Sequence, residues 1–237
     1  LSLIAPFTCV LAQNPIVKID FDQSGRPKAE VNEPDYTAWV VASGNTSTYT
    51  ENGVTFTITR VGDKGDALGT NWYKAGIQAP YYARLVCDGL TVKGTTANFG
   101  AQIELKISGL ATGEHTLLAF FNNVDSPTTN TFSPIDISVD GNVVVDNLIP
   151  TVRATKTADA ASTYLRFQAT AGTDVVILIA AETSGTENVK NFIFNGFELN
   201  TPNISHQAIN PDPKQNNEHV ELTSGGKLLQ WTAGAGA

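Results

Sequence analysis

The strongest constraint on this chain is an alternation that recurs between short turn signals. In the segment 101–107, Ile103, Leu105 and Ile107 alternate with Gln102, Glu104 and Lys106. That is a strand with one face buried and one wet. Comparable runs are VKIDF at 17–21, TAWVV at 37–41, VTFTITR at 54–60, ARLVCDG at 83–89 and HTLLAFFN at 115–122. They continue with IDISVDGNVVV at 135–145, IPTVRAT at 149–155, TYLRFQAT at 163–170 and NFIFNGFEL at 191–199. DVVILIAA at 174–181 is apolar throughout, which predicts a strand covered on both faces. Asp140-Gly141-Asn142 reads as a tight hairpin turn, and Asn195-Gly196 as a second turn or a bulge. Helical periodicity is confined to a short turn near 157–162. Many short strands with few helices predict an all-β sandwich or jelly roll.

Composition narrows the function classes. Of 237 residues, 41% are hydrophobic, enough for a core, and the formal net charge is −8. An acidic chain lacks the basic footprint of a nucleic-acid binder. No apolar run approaches the roughly 18 residues of a membrane-spanning helix. Of the two cysteines, Cys9 lies in an N-terminal segment expected to be removed. Cys87, between Val86 and Asp88, reads as a buried small apolar residue. The histidines, His115, His206 and His219, have no metal-ligand spacing.

The ends read differently from the middle. LSLIAPFTCVLA at 1–12 is apolar and uncharged and stops at Ala12 before Gln13, the pattern of the back half of a secretory signal peptide. With no Met anywhere, the chain is expected to begin inside a longer reading frame. The alternatives for 1–12 are a lipoprotein signal, which Pro6, Phe7 and Thr8 before Cys9 disfavour, and a hydrophobic N-terminal strand, which Pro6 and the polar switch at Gln13 disfavour. Residues 13–199 are expected to form the sandwich. The segment 200–217, with three Pro and four Asn between 201 and 217, reads as a linker, and 218–237 as the start of a second β module. Within it, LLQWTAGAGA resembles the opening of a fibronectin type III-like module, with Trp231 at the core tryptophan position.

The middle layout carries a broader resemblance. The opening IDF, the strand pair around Ile135–Val145 with Asp140-Gly141, and Phe192–Leu199 with Asn195-Gly196 resemble the galactose-binding-domain-like jelly rolls. That group includes malectin-like domains and many carbohydrate-binding modules of secreted bacterial polysaccharide-degrading proteins. The resemblance implies sugar binding through exposed aromatics and amides in loops, in places with a structural Ca²⁺.

The residues supply candidates for each role. A sugar site wants a flat aromatic against the C–H face of a pyranose and polar groups to replace the lost water bonds. Trp72, Tyr73 and Lys74, then Tyr81, Tyr82 and Arg84, form the densest such segment, behind the loop GDKGD at 62–66. The competing reading makes Trp72 and one of the tyrosines core anchors. Asn122 and Asn123 at a strand end are paired amides that suit sugar hydroxyls or, equally, a turn. Trp39 alternates with apolar neighbours and reads as core. Asp20, Asp22 and Glu198, on the first and last strands, are oxygen donors for Ca²⁺. Catalysis has one string, NWYKAGIQ at 71–78, which resembles the Y-F-K-A-G strand of jelly-roll alginate lyases. It departs from that pattern: it comes early, and Gln102-Ile103-Glu104 follows it with Glu where a His belongs. The expected function is therefore a non-catalytic polysaccharide-binding module of an exported multidomain protein. A spacer or adhesion sandwich and a lyase or hydrolase are the alternatives.

Overall fold

The computed structural model describes residues 14–41, 43–61, 67–73, 83–92, 100–124, 130–183, 185–203, 209–212 and 230–232. The chain divides into two compact units, Leu1–Asn200 and Thr201–Ala237.

The first unit is an all-β sandwich of the jelly-roll type. One sheet takes β1 (Val17–Asp20), β2 (Thr37–Ala38), β8 (Gly113–Asn123), β11 (Thr151–Val152), β12 (Ala161–Ala169) and β14 (Gly196–Leu199). Within it β12 and β14 pair with β8, β1 pairs with β14, and β2 closes the edge beyond β1. The other sheet has the order β10-β9-β13-β7-β4-β3. Its strands are β3 (Thr46–Glu51), β4 (Val54–Arg60), β7 (Gln102–Ser108), β9 (Ile135–Val139), β10 (Asn142–Leu148) and β13 (Val175–Ala181). From β7 onward the chain crosses repeatedly between the sheets, which gives the jelly roll its form. A separate ribbon pairs β5 (Leu68–Trp72) with β6 (Asp88–Val92).

The period-2 pattern builds the core directly. Ile103, Leu105 and Ile107 of β7 are buried with Ile177 and Ile179 of β13 and Phe56 and Ile58 of β4. From the opposite sheet come Ile19, Leu117, Ala119, Phe121 and Phe197. Phe21 joins the layers, with ring centroids 5.3 Å from Trp39, 5.0 Å from Phe194 and 5.9 Å from Phe197. Trp39 is a core residue, and its indole N–H donates to Ser47 Oγ at 3.1 Å. At the β9–β10 turn Asp140 and Gly141 have φ of 48° and 81°, the left-handed pair a tight hairpin needs.

Several expectations need correction. TAWVV forms only the two strand residues of β2, after which Val40 is exposed. Residues 84–87 are bend and turn, and the strand begins at Asp88. Asn195-Gly196 is not a hairpin turn: Phe194 bridges Leu90, and β14 begins at Gly196. The β13 strand is fully buried on one face only, with Val176, Leu178 and Ala180 half-buried on the other. β3 and β5 were not evident from the pattern.

A second layer covers the outer face of the first sheet. Ala83, Leu85 and Val86 pack on Phe120 and Leu118, with Tyr36 and Ala160 beside them. The short helix α1 (Lys28–Val31) belongs to the segment that folds back between β1 and β2. The second unit pairs β15 (Ile209–Asp212) with β16 (Gln230–Thr232), antiparallel.

Candidate functional site

Beneath that layer lies a set of buried carboxylates. Alternation along β1 and the two residues that follow it turns Ile19 and Phe21 into the core and leaves Asp20 and Asp22 buried on the opposite side. Asp20 Oδ2 accepts the Glu33 backbone N–H at 2.7 Å, while its Oδ1 has no partner among the described residues. Asp22 is buried, and among the described residues neither of its oxygens has a partner. Asp88, first residue of β6, accepts the Gln23 N–H on Oδ2 at 2.6 Å and faces Cys87 Sγ at 3.8 Å through Oδ1. Among the described residues the buried amide oxygens of Gln23 and Asn32 are also without partners. Glu33 is spent on the backbone N–H groups of Arg84 and Leu85, at 2.8 and 3.1 Å.

The electrostatics follow from crowding negative groups out of water. Burial, and then the neighbouring Asp88, push the Asp20 carboxyl well above the usual range. Burial lifts Asp22 to about 6 against the pull of Lys28. Asp88 rises to about 8, again chiefly by burial, with the Gln23 N–H pulling it back and Asp22 pushing it up. Raised carboxylates with orphaned oxygens have two remedies, a proton or a hard cation. An all-oxygen donor set suits Ca²⁺ rather than a metal that wants nitrogen or sulfur.

Glu198 does not join this set. The β1–β14 register places it opposite Lys18, whereas Asp20 faces Gly196. Its Oε1 accepts the Tyr36 hydroxyl and lies 4.0 Å from Lys18 Nζ. Asp88, which sequence reasoning passed over, is the carboxylate that presses electrostatically on Asp20 and Asp22, and the ligand oxygens of these three do not gather within 4.8 Å of one another. A second acidic cluster, Asp136, Asp146 and Glu182, has ligand oxygens within 4.8 Å of one another and could hold a metal ion. It borders an open groove of about 360 Å³ lined also by Gly100, Gln102 and Thr183.

Trp72 ends β5 directly opposite Asp88 and is half-buried. The turn Gln23–Arg26 lies over this ribbon. It is pinned by the Asp88 bond and by Ser24 N–H to Thr70 Oγ1 at 3.2 Å, and Gly25 has φ of 81°. The turn delivers Arg26, whose guanidinium carbon sits 3.4 Å from the centroid of the Trp72 ring. Nη1 of Arg26 is 3.5 Å from Glu30 Oε2. Neither Arg26 nor Asp88 carried a signal in the sequence, because each reaches the site through a partner distant in the chain.

The remaining candidates scatter. Tyr73 is buried; its hydroxyl donates to Ala154 O, and burial pushes it up to about 12. Asn122 is fully buried and works as a strut. Its Nδ2 donates to Val86 O at 2.7 Å, and its Oδ1 accepts Ala154 N–H at 2.9 Å and the Thr151 hydroxyl at 3.0 Å. Asn123 is buried and accepts the Ile193 N–H at 3.0 Å. These three therefore hold the covering layer and the sheet together and line no open face. Arg84 is half-buried, with Nη1 3.5 Å from Asn32 O. Lys74, Tyr81, Tyr82, the loop 62–66 and the N-terminal segment 1–12 lie outside the described residues.

No family model matches this chain, and neither does any curated protein. Among solved structures it is similar to a native family 35 carbohydrate binding module from Clostridium thermocellum. The identity is 14%, covering 66% of this chain and 98% of the other, with a TM-score of 0.33. A CBM35 from Paenibacillus barcinonensis is 16% identical over 63% of this chain and 96% of its own, at 0.29. The ANX2 ectodomain from Arabidopsis thaliana is 10% identical over 78% of this chain and 48% of its own, at 0.43.

Proposed function

We propose that the sandwich is a non-catalytic carbohydrate-binding domain whose ligand face is centred on Trp72. The observation that carries this reading is a partly exposed aromatic plane at the end of the β5–β6 ribbon, with a guanidinium laid on it. An aromatic face offers stacking area to a pyranose, and N–H donors replace the water bonds its hydroxyls give up. Lys74, Tyr81, Tyr82 and Arg84 are proposed to extend that face.

Ca²⁺ is proposed to be structural, held by Asp20, Asp22 and Asp88, whose oxygens stand further apart than 4.8 Å and would be drawn together around the ion. There it would satisfy the orphaned oxygens and neutralise the crowded carboxylates under the turn that carries Arg26. The wider organisation belongs to the same proposal: a signal-peptide remnant at 1–12, the domain at 13–199, a linker at 200–217 and a second β module from 218. Such a protein would act outside the cell, with this domain holding polysaccharide near its other modules and raising the effective concentration.

The test is affinity electrophoresis of the full chain in gels cast with plant, algal and host polysaccharides, with Ca²⁺ and with chelator. Retardation by a glycan, abolished in Trp72→Ala with an unchanged thermal melt, is the expected result. Migration unaltered by every glycan would overturn the reading in favour of a spacer sandwich. Release of reducing or unsaturated sugar during the run would make it an enzyme.

A further inference from the structure

We infer that the segment 23–27 is a strap that closes the Trp72 face until a ligand opens it, with Arg26 as its latch and Gly25 as its hinge. The inference rests on the carbohydrate-binding reading and deepens it by naming what regulates access to that face.

The stack itself shuts the face. At 3.4 Å from the ring centroid the guanidinium is in van der Waals contact with the indole, and no sugar ring fits between the two planes. A ligand that stacks on this side of Trp72 must first lift Arg26 away.

The chain around Arg26 permits that movement. Its two ends are fixed: Phe21 sits in the core, and Val31 at the end of α1 is buried with Tyr73, Cys87, Val124 and Ile193. Between them Ser24 to Ala29 are exposed. Gln23 is the anchored point, its N–H held by buried Asp88. Beyond it, four contacts keep the strap down. They are the Ser24 N–H bond to Thr70 Oγ1 at 3.2 Å, the Arg26 N–H bond to Gln23 O at 3.4 Å, the Glu30 ion pair at 3.5 Å and the stack on Trp72. All involve exposed or half-buried groups, so each favours the closed form by a factor of a few and none locks it. Gly25 stands one residue before the latch, with φ of 81° and open space where a Cβ would be. Its backbone angles change without steric cost, as a hinge requires.

The consequence is an equilibrium that precedes binding. Ligand meets only the open fraction, and the apparent affinity is the intrinsic one scaled by that fraction. Once lifted, the guanidinium is free to turn its N–H donors to ligand hydroxyls.

The test reads the strap first without any glycan. In the full chain carrying Trp231→Phe, acrylamide quenching reports access to Trp72, because Trp39 is buried in the core. Acrylamide is neutral and so indifferent to the charge at position 26, and Trp72→Phe identifies the signal. Two variants release the strap: Arg26→Ala removes the latch, and Gly25→Ala strains the closed turn while leaving Arg26 in place. Both are expected to raise the quenching constant of Trp72 about twofold or more. Dissociation constants are then measured for a neutral galactomannan, a xylan and a polygalacturonate. Gly25→Ala is expected to bind about fivefold more tightly than wild type to any of the three that is bound. Binding that emerges only in the variants is the same result in its extreme form. Quenching unchanged in both variants overturns the strap and leaves carbohydrate binding standing. Raised quenching with equal or weaker binding by Gly25→Ala does the same, since the closed turn would then be part of the ligand surface. Raised quenching with no polymer bound by wild type or either variant overturns both.

Discussion

Asn122 is the side chain on which most of the covering layer depends. It serves Val86 O, Ala154 N–H and the Thr151 hydroxyl at once, and its own N–H donates to Asn195 Oδ1 at 2.5 Å. Asn122→Ala leaves a carbonyl and an N–H without that partner in a dry site, at roughly 1–3 kcal/mol each. A loss of about 3 kcal/mol, read from the urea midpoint with the slope unchanged, is the expected outcome. A midpoint within error of wild type would show that the amide is no strut and reopen a ligand role. Gly196 makes a different demand. A Cβ there would stand 2.4 Å from Ile19 O and 2.6 Å from Leu85 Cδ1, so β1 and β14 could not keep their spacing. Gly196→Ala should cost about 2 kcal/mol by overpacking and lower the melting temperature.

At the scale of elements, the strands differ in what holds them. The β3–β4 hairpin carries threonine pairs on its outer face: Thr46–Thr59 at 3.4 Å, Thr48–Thr57 at 3.3 Å and Thr50–Thr55 at 3.0 Å between hydroxyls. A double-mutant cycle on Thr48→Ala and Thr57→Ala should show coupling below about 1 kcal/mol, the range for cross-strand pairs. Coupling well above that would mean the hydroxyls act as a network. The β9–β10 turn is stiffer: Gly141→Ala puts a Cβ at φ of 81° and should cost about 1–2 kcal/mol in a thermal melt. These contrasts explain what was legible beforehand. β4, β7, β9 and β13 announced themselves because their inward positions are apolar and fully buried. β3 did not, since its inward Ser47, Tyr49 and Glu51 are only half-buried. Residues 83–87 imitated a strand because their apolar side chains cover a sheet from outside, which needs no ladder. In the site, Asp20 and Asp22 were visible as alternating acids on one strand. Glu198 is an acid on the last strand, and only the register of that strand on the first, Lys18 opposite Glu198, separates it from them. Asp88 joins across a contact spanning 65 residues, which no local pattern encodes.

For the whole molecule the buried carboxylates couple folding to protons and cations. In chelator, Asp22 at about 6 and Asp88 at about 8 hold their protons more tightly folded than unfolded, where an aspartate titrates near the usual 3.8. The folded state therefore binds more protons across that window, and stability falls as pH rises. Their contribution is complete below about pH 4 and is lost as pH climbs through 6 and then 8, a change on the order of a few kcal/mol. Ca²⁺ should reverse this slope, because it binds the ionised form. At pH 8 and a hundredfold excess over its dissociation constant it would add about 2.7 kcal/mol. Asp88→Asn separates the two effects. The amide oxygen still accepts the Gln23 N–H, one negative charge is gone, and the variant in chelator should be more stable than wild type at pH 8. The same substitution should remove most of the gain from Ca²⁺. Thermal melts of both proteins at pH 5 and pH 8, with Ca²⁺ and with chelator, give all the required comparisons. If wild type is as stable in chelator at pH 8 as at pH 5, and Ca²⁺ leaves both melts unmoved, the three aspartates are neutralised within the protein itself, and neither the proton nor the cation governs how firmly the Arg26 turn is held on Trp72.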